Sequence, residues 1–519
     1  MIFFYVILLL VGLIFTKSGL FWVYLWQTKE YRLDRFWAEY GHPKKLGKFW
    51  LFSGGRKFHQ PIHTIKSILI YFFSLAVAEL AIFVLLKMFF GGILANFWLL
   101  IISLIVLYLL MPLIVSFHVF VFFIPTVIVK RIIYRLAAGK MRKIDNLTVI
   151  GITGSYGKSS TKEFLAQILE KKFWVIKTPE NINSEIGVAK FVLKNVDTSG
   201  HSVLRFCHPE GAQRPKDLTN DDKILRFVQN DKKMIFIVEM GAYKRGEIKR
   251  ICDIVRPKIG IITGVNEQHL ALFGSIENIK KAKFELVESL PDDGLAVFGG
   301  DNRYCMEMSE SHGGKKAVCH SAGLPFNVSI AYQGGELPRH YLSNIAIAVE
   351  VARYLGMKDE EIKEAVASLK LSDRMTKIYS GKNGVLIIED TYSANLDGVL
   401  AALDCLAQQK QKTKIIVMPC LIELGKAAEE AHHRIGKRIG EVCDLAIITT
   451  PDYFSIIKKE VGSVVSTSTS LSTSLSNQDK AVLAVEPAKA IEFLKDKLNL
   501  DAAVLLEGRL ANEIVEFLK

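Results

Sequence analysis

Residues 148–161 read Thr-Val-Ile-Gly-Ile-Thr-Gly-Ser-Tyr-Gly-Lys-Ser-Ser-Thr, a β-branched run that breaks into a glycine loop closing on Lys158-Ser159. Gly154 and Gly157 let backbone N–H groups approach phosphate oxygens, and the helix that follows directs the positive end of its dipole at the same point. Lys158 is placed to reach terminal phosphates and the Ser159 hydroxyl to hold a magnesium ion. The spacing is Thr-Gly-x-x-Gly-Lys-Ser, because Ile152 stands where the full Walker pattern has its first glycine. This is the chemistry of an ATP grip. Further along, Phe236–Gly241 puts Glu239 at the C-terminal end of a strand, where ligands bind in open α/β sheets. His269 follows a second strand-like run, and Lys283 lies in Lys280-Lys281-Ala282-Lys283-Phe284-Glu285. Taken singly these read as a strand-end acid, a structural histidine and a solvated helix lysine.

The elements that must position these groups alternate. Strand-like runs at 147–152, 235–239 and 259–263 alternate with helical stretches at 158–172, 244–254 and 275–289. Such alternation implies an α/β domain with a largely parallel sheet. A second series begins near 385, with runs at 385–389, 414–418, 445–449 and 503–506, and the break between the two falls around 370–384. The expected organisation is a helical region over 1–145, a central domain over 146–372 and a C-terminal domain over 373–519. Residues 199–233 are polar and irregular and read as an insertion; the Ser/Thr-rich stretch 463–478 reads as a flexible excursion.

Together the pieces resemble the Mur ligase family of ATP-dependent amide-bond ligases, over roughly residues 147–519. The resemblance rests on the glycine loop 153–161, Thr-Pro-Glu-Asn-Ile-Asn-Ser-Glu-Ile-Gly (178–187), Glu239-Met240-Gly241, His269-Leu270 with Lys283, and His340 with Asn344. It continues in Arg374, Asp390-Thr391-Tyr392-Ser393-Ala394-Asn395 and Glu423-Leu424-Gly425. It is nearest to the members that add D-alanyl-D-alanine to a UDP-muramoyl tripeptide. The resemblance implies a P-loop-type central ATPase domain and a Rossmann-like C-terminal domain. It sets Gly154, Gly157, Lys158, Ser159, Ser160 and Asn344 on the nucleotide, with Arg374 and Asp390 reaching it from the C-terminal domain. It gives Ser159, Glu239, His269 and a Lys283 carbamylated by carbon dioxide to magnesium, and Asn181, Asn183, Tyr392 and Asn395 to the substrate side. The implied chemistry is an acyl phosphate on a peptidoglycan-precursor carboxylate, displaced by the amine of an amino acid or dipeptide. Lys158, Glu239, His269 and Lys283 carry it.

The sequence departs from the family in three places. Soluble members carry a small UDP-sugar-binding domain before the ATPase, where apolar segments stand here. The usual Tyr-Asn-Ala-Asn-Pro is Tyr392-Ser393-Ala394-Asn395-Leu396, and an aspartate of the later glycine-containing stretch is Cys420. A glutamate-adding or amidating relative, a membrane-linked acceptor, and a nucleotide-binding membrane scaffold therefore stay open. An amidating relative would usually carry a four-cysteine zinc ribbon, and the seven scattered cysteines contain no CxxC pair.

The apolar content explains the setting. Between Ser67 and Val129 only Glu79 and Lys87 carry charge, and residues 2–26 are apolar apart from Lys17. Both stretches exceed the roughly 20 residues that cross a bilayer. Residues 28–66 hold nine Lys/Arg against three acids, and 130–143 hold six with none. These clusters, flanking apolar spans, account for much of the +13 net charge and read as cytoplasmic loops against anionic lipid. Nucleic acid is not an expected partner. Parity then favours three membrane helices, with the catalytic domains on the cytoplasmic side. The run 93–129 is expected as one kinked span, or with a re-entrant turn at Pro112.

Overall fold

The computed structural model describes residues 2–33, 35–36, 60–91, 96–144, 146–195, 233–324, 339–371, 375–391, 394–467, 480–495 and 497–519. The expected insertion, save Lys233, and residues 468–478 of the Ser/Thr-rich stretch lie outside the described residues, while 463–467 close a helix. The chain divides into two compact units, Met1–Ile132 and Ile133–Lys519. The division between the compact units falls at 132/133, and Ala137 and Met141 are buried in the core of the second unit.

The first unit holds helices α1 (Ile2–Thr28), α2 (Ile65–Phe90) and α3 (Phe97–Val121), and the start of α4 (Phe123–Met141). Trp22, Val23, Trp26, Ile70, Ile82, Met111 and Val115 pack inside it. Leu9, Phe72, Leu80 and Leu113 point outward, as on a surface that faces hydrocarbon. Three helical stretches, Tyr5–Thr28, Ile65–Phe90 and Phe97–Met141, are long and apolar enough to cross a membrane. Helix α3 continues through Pro112, so the chain does not turn back there. The interruption falls at Phe122 instead. Pro125 has no N–H to offer the Val121 carbonyl, and proline is well tolerated in the first turn of the helix that restarts.

In the second unit, β1 (Leu147–Thr153) leads through the glycine loop into α5 (Lys158–Leu169). There follow β2 (Trp174–Lys177), α6 (Glu185–Asn195), β3 (Met234–Glu239), α7 (Glu247–Val255), β4 (Ile259–Ile262), α8 (Leu270–Phe273) and α9 (Ile276–Glu288). The domain closes with β5 (Leu295–Gly299), α10 (Arg303–Glu310), β6 (Lys316–Cys319), α11 (Arg339–Tyr354) and α12 (Asp359–Ala367). Its six strands are parallel in the order β2-β3-β1-β4-β5-β6, covered on one face by α5, α11 and α12 and on the other by α6, α7 and α9. Strand order reverses at β1, so the loops after β1, β3 and β4 meet at one crevice.

The second sheet has the order β11-β10-β9-β12-β8-β7, with β7 antiparallel to β8 and the other pairs parallel. It is formed by β7 (Lys377–Ser380), β8 (Leu386–Asp390), β9 (Thr413–Met418), β10 (Leu445–Ile448), β11 (Ala481–Leu483) and β12 (Ala502–Glu507). Helices α13 (Leu396–Ala407), α14 (Ala428–Val442) and α15 (Phe454–Thr467) cover one face. Helices α16 (Pro487–Lys495) and α17 (Asn512–Leu518) cover the other. The six described cysteines are buried free thiols.

Phe164 on α5 is fully buried and meets the Tyr341 ring edge-on, with ring centroids 6.1 Å apart. It ties the helix after the glycine loop to α11. Phe164→Ala is expected to destabilise the second unit by about 3–5 kcal/mol, read as a lowered denaturant midpoint at unchanged slope.

Candidate active site

The glycine loop is shaped by contacts that leave no room for side chains. Gly154 and Gly157 have φ of 156° and 79°. A Cβ on Gly154 would lie 2.1 Å from Thr263 Oγ1, and one on Gly157 would lie 2.7 Å from Asn344 Oδ1. Such backbone is open to glycine, and the start of α5 that follows is the kind of helix N-terminus that suits a phosphate. Lys158 Nζ donates back to the Gly154 carbonyl at 2.7 Å and to Ser155 at 3.3 Å. Burial pushes this ammonium below the ordinary lysine value, and Glu239 pulls it part of the way back.

Glu239 is the centre. It ends β3, buried, with Ser159 Oγ donating to Oε2 at 3.0 Å, Lys162 Nζ at 3.2 Å to the same oxygen, and Asn183 Nδ2 to Oε1 at 3.1 Å. Burial alone would raise its pKa. The ammonium groups of Lys162 and Lys158, with the Asn183 amide, outweigh burial and hold it below the usual carboxylate range. A hydroxyl and a carboxylate side by side are hard oxygen donors, and magnesium commonly takes few protein ligands and completes its shell with phosphate and water. The Ser159–Glu239 pair fits that ion, and the glycine loop fits a nucleotide's phosphates.

Lys283, on α9, is buried, and its amine is pushed down to about 7 by burial and by repulsion from Lys158. His269 has φ of 65° and places Nδ1 2.5 Å from Glu423 Oε2, a residue of the C-terminal domain. Burial lowers the His269 pKa against the pull of Glu423, and Lys283 and Lys158 lower it further. Lys158 thus acts electrostatically on Glu239, His269 and Lys283. Among the described residues, no group of three or more His, Cys, Asp or Glu side chains gathers as a metal cage.

The other expected residues take varied places. Asn344, on α11, faces the glycine loop, and Ser160 sits in the first turn of α5. The Nδ1 atom of His340, in the first turn of α11, is buried with no hydrogen-bond partner. Asp390 ends β8, accepts from Thr376 Oγ1 at 3.0 Å and is raised by burial. Asn395 caps α13 and accepts from Asn266 Nδ2 at 3.1 Å, joining the two domains. Asn181 has a positive φ, 63°. Arg374 and Tyr392 lie outside the described residues.

Lys162, Asn266 and Asp397 were not singled out in the sequence. Lys162 had a readable signal: it shares the buried stripe of α5 with Leu165 and Leu169, and a lysine there needs a buried carboxylate. The Asn266 link to Asp397 Oδ2, 3.0 Å, joins residues 131 apart and leaves no local trace.

A glycine-loop α/β domain whose crevice is met by loops of a second parallel-sheet domain defines a two-lobed nucleotide-binding protein. The chain belongs to the Mur ligase family: residues 152–325 match the Mur ligase middle domain and 373–510 the Mur ligase, glutamate ligase domain. It is 28% identical to the UDP-N-acetylmuramoyl-tripeptide–D-alanyl-D-alanine ligase of Synechocystis, over 59% of this chain and 62% of that one. To the enzyme of the same name from Escherichia coli it is 26% identical, over 60% and 67%. The chain thus spans about three fifths to two thirds of the length of these relatives. The fold is similar to that of Thermotoga maritima MurF ligase in complex with ADP, with a TM-score of 0.57 at 23% identity, covering 75% of this chain and 83% of that one.

Breaking the buried pair should be costly in one direction. Glu239→Gln leaves Lys162 buried without its carboxylate and is expected to destabilise by about 3–5 kcal/mol. Adding Lys162→Met should recover part of the loss, giving a non-additive double-mutant cycle in denaturant melts.

Proposed function

We propose that this protein is an ATP-dependent, ADP-forming carbon–nitrogen ligase of peptidoglycan-precursor synthesis. It joins a muramoyl-peptide carboxylate to an amino acid or dipeptide, D-alanyl-D-alanine foremost, at the cytoplasmic face of a membrane. The observation that carries this reading is the buried Glu239 centre, ringed by Ser159, Lys162 and Asn183 and coupled to Lys158, in a chain bearing both Mur ligase domains. The names of the relatives supply the substrates.

An oxygen of the acceptor carboxylate attacks the γ-phosphorus of ATP, ADP leaves, and an acyl phosphate forms. The neutral amine then attacks the acyl carbon, phosphate departs with its electron pair, and the amine's proton passes to solvent. Lys158 turns from the loop carbonyls to the phosphate oxygens, where its charge stabilises the transferring group. Ser159 and Glu239 would hold magnesium, which would neutralise phosphate charge. Lys283, with a pKa of about 7, keeps much of its amine neutral and able to add carbon dioxide as a carbamate. The His269–Glu423 contact brings the C-terminal domain onto the centre, a closure that keeps water from the acyl phosphate.

The three apolar helices favour a membrane setting and a lipid-linked form of the acceptor. Purified protein given Mg-ATP, D-alanyl-D-alanine and either UDP-linked or lipid-linked muramoyl tripeptide should release phosphate only when both acceptor and dipeptide are present, faster with the lipid-linked form. Phosphate release indifferent to D-alanyl-D-alanine would contradict the ligase reading, and equal turnover of the UDP-linked acceptor would contradict the lipid preference. Lys283→Ala should lower turnover by about a hundredfold or more. In the wild-type protein, carbamate formation and turnover should fall together as pH drops through about 7, because protonation removes the amine's lone pair.

A further inference from the structure

The last turns of α4, residues 133–141, present two faces. The inner face sets Tyr134, Ala137 and Met141 in the core that Val188, Ala189 and Val192 of α6 also enter. Two polar contacts grip α6 near both ends: Tyr134 Oη donates to Glu185 Oε2 at 3.2 Å, and Lys140 Nζ donates to the Leu193 carbonyl at 2.9 Å. Glu185 is also paired with Arg250 of α7. Just before Glu185, Asn183 donates to Glu239 and its carbonyl accepts from the Gly241 N–H at 2.8 Å. The helix that α4 holds therefore begins beside the carboxylate at the heart of the site.

The outer face carries Arg135 and Leu136, both exposed, then Gly139, whose absent side chain would meet nothing within 4 Å. Exposed Arg142 and Lys143 follow in the turn that ends the helix. Positions 135, 136, 139, 142 and 143 fall on one side of a 3.6-residue repeat. The cations have no acid among them from 130 to 143. A face of cations around one apolar side chain complements an anionic bilayer surface. A lipid occupant is favoured over nucleic acid because the same helix begins with the apolar run Phe123–Val129 and continues a stretch apolar enough to cross a membrane. At 45 residues that stretch is about twice what a bilayer needs, so its basic end lies beyond the hydrocarbon.

We propose that this outer face seats on anionic phospholipid, and that seating steadies α6 and so fixes Asn183 against Glu239. The inference rests on the membrane-facing reading for its setting, but not on the identity of the reaction. The test uses the full chain in nanodiscs of phosphatidylcholine alone or with phosphatidylglycerol, read by hydrogen exchange. Amides of residues 185–195 should exchange about fivefold more slowly in the anionic discs, the effect of about one cation–lipid contact. Replacing Arg135, Arg142 and Lys143 together by Gln should abolish that difference. Tyr134→Phe should keep the protection of 135–143 but lose it at the Glu185 end, and should raise the magnesium needed for half-maximal ADP binding about fivefold. Equal exchange in the two discs, or a difference that survives the triple substitution, would overturn the proposal. A protein without ligase turnover would still give the exchange result, so the two readings fail separately.

Discussion

A carboxylate buried beside more ammonium groups than it can neutralise is the constraint on which the second unit depends. Lys162 and Lys158 act on Glu239, Lys158 in turn repels Lys283, and the pKa values of Lys158 and Lys283 are depressed by burial. Buried charges are tolerated only when paired and hydrogen-bonded, and here the pairing is arranged by helix α5. Its first turn supplies Ser159, its second supplies Lys162, and the Asn183 amide takes the remaining oxygen. The excess of positive charge suits a nucleotide's phosphates. A nucleotide entering the site brings the negative charge that the fold lacks.

The parts of this arrangement that are local in sequence could be read from it. β1, its glycine loop and α5 follow one another, and the β-branched run, the glycines and the Lys-Ser pair each have a direct physical meaning. The alternation of strands and helices was equally plain, because parallel strands buried on both faces are short continuous apolar runs. What could not be read is what joins distant residues. His269 meets Glu423 across 154 positions, and Asn266 meets Asn395 and Asp397 across a domain boundary. Lys162 stood in view, but a lysine on a helix ordinarily means a solvated face. Helix α3 runs on through Pro112, where the sequence also allowed a re-entrant turn, and the third apolar stretch is interrupted at Phe122, between α3 and α4.

Within the second unit, residues 133–141 of α4 share the middle domain's core through Ala137 and Met141 and hold α6 at Glu185 and Leu193. The C-terminal domain differs from the common family pattern at Ser393, Leu396 and Cys420. Leu396 opens α13 and Cys420 follows β9.

The most direct test of the central claim is calorimetric titration of a non-hydrolysable ATP analogue, with magnesium and with chelator, into the wild-type protein and Glu239→Gln. The account predicts binding by the wild-type protein that needs magnesium and is weakened at least about tenfold in the variant. Affinity that is indifferent to both magnesium and Glu239, or no binding by the wild-type protein, would contradict it.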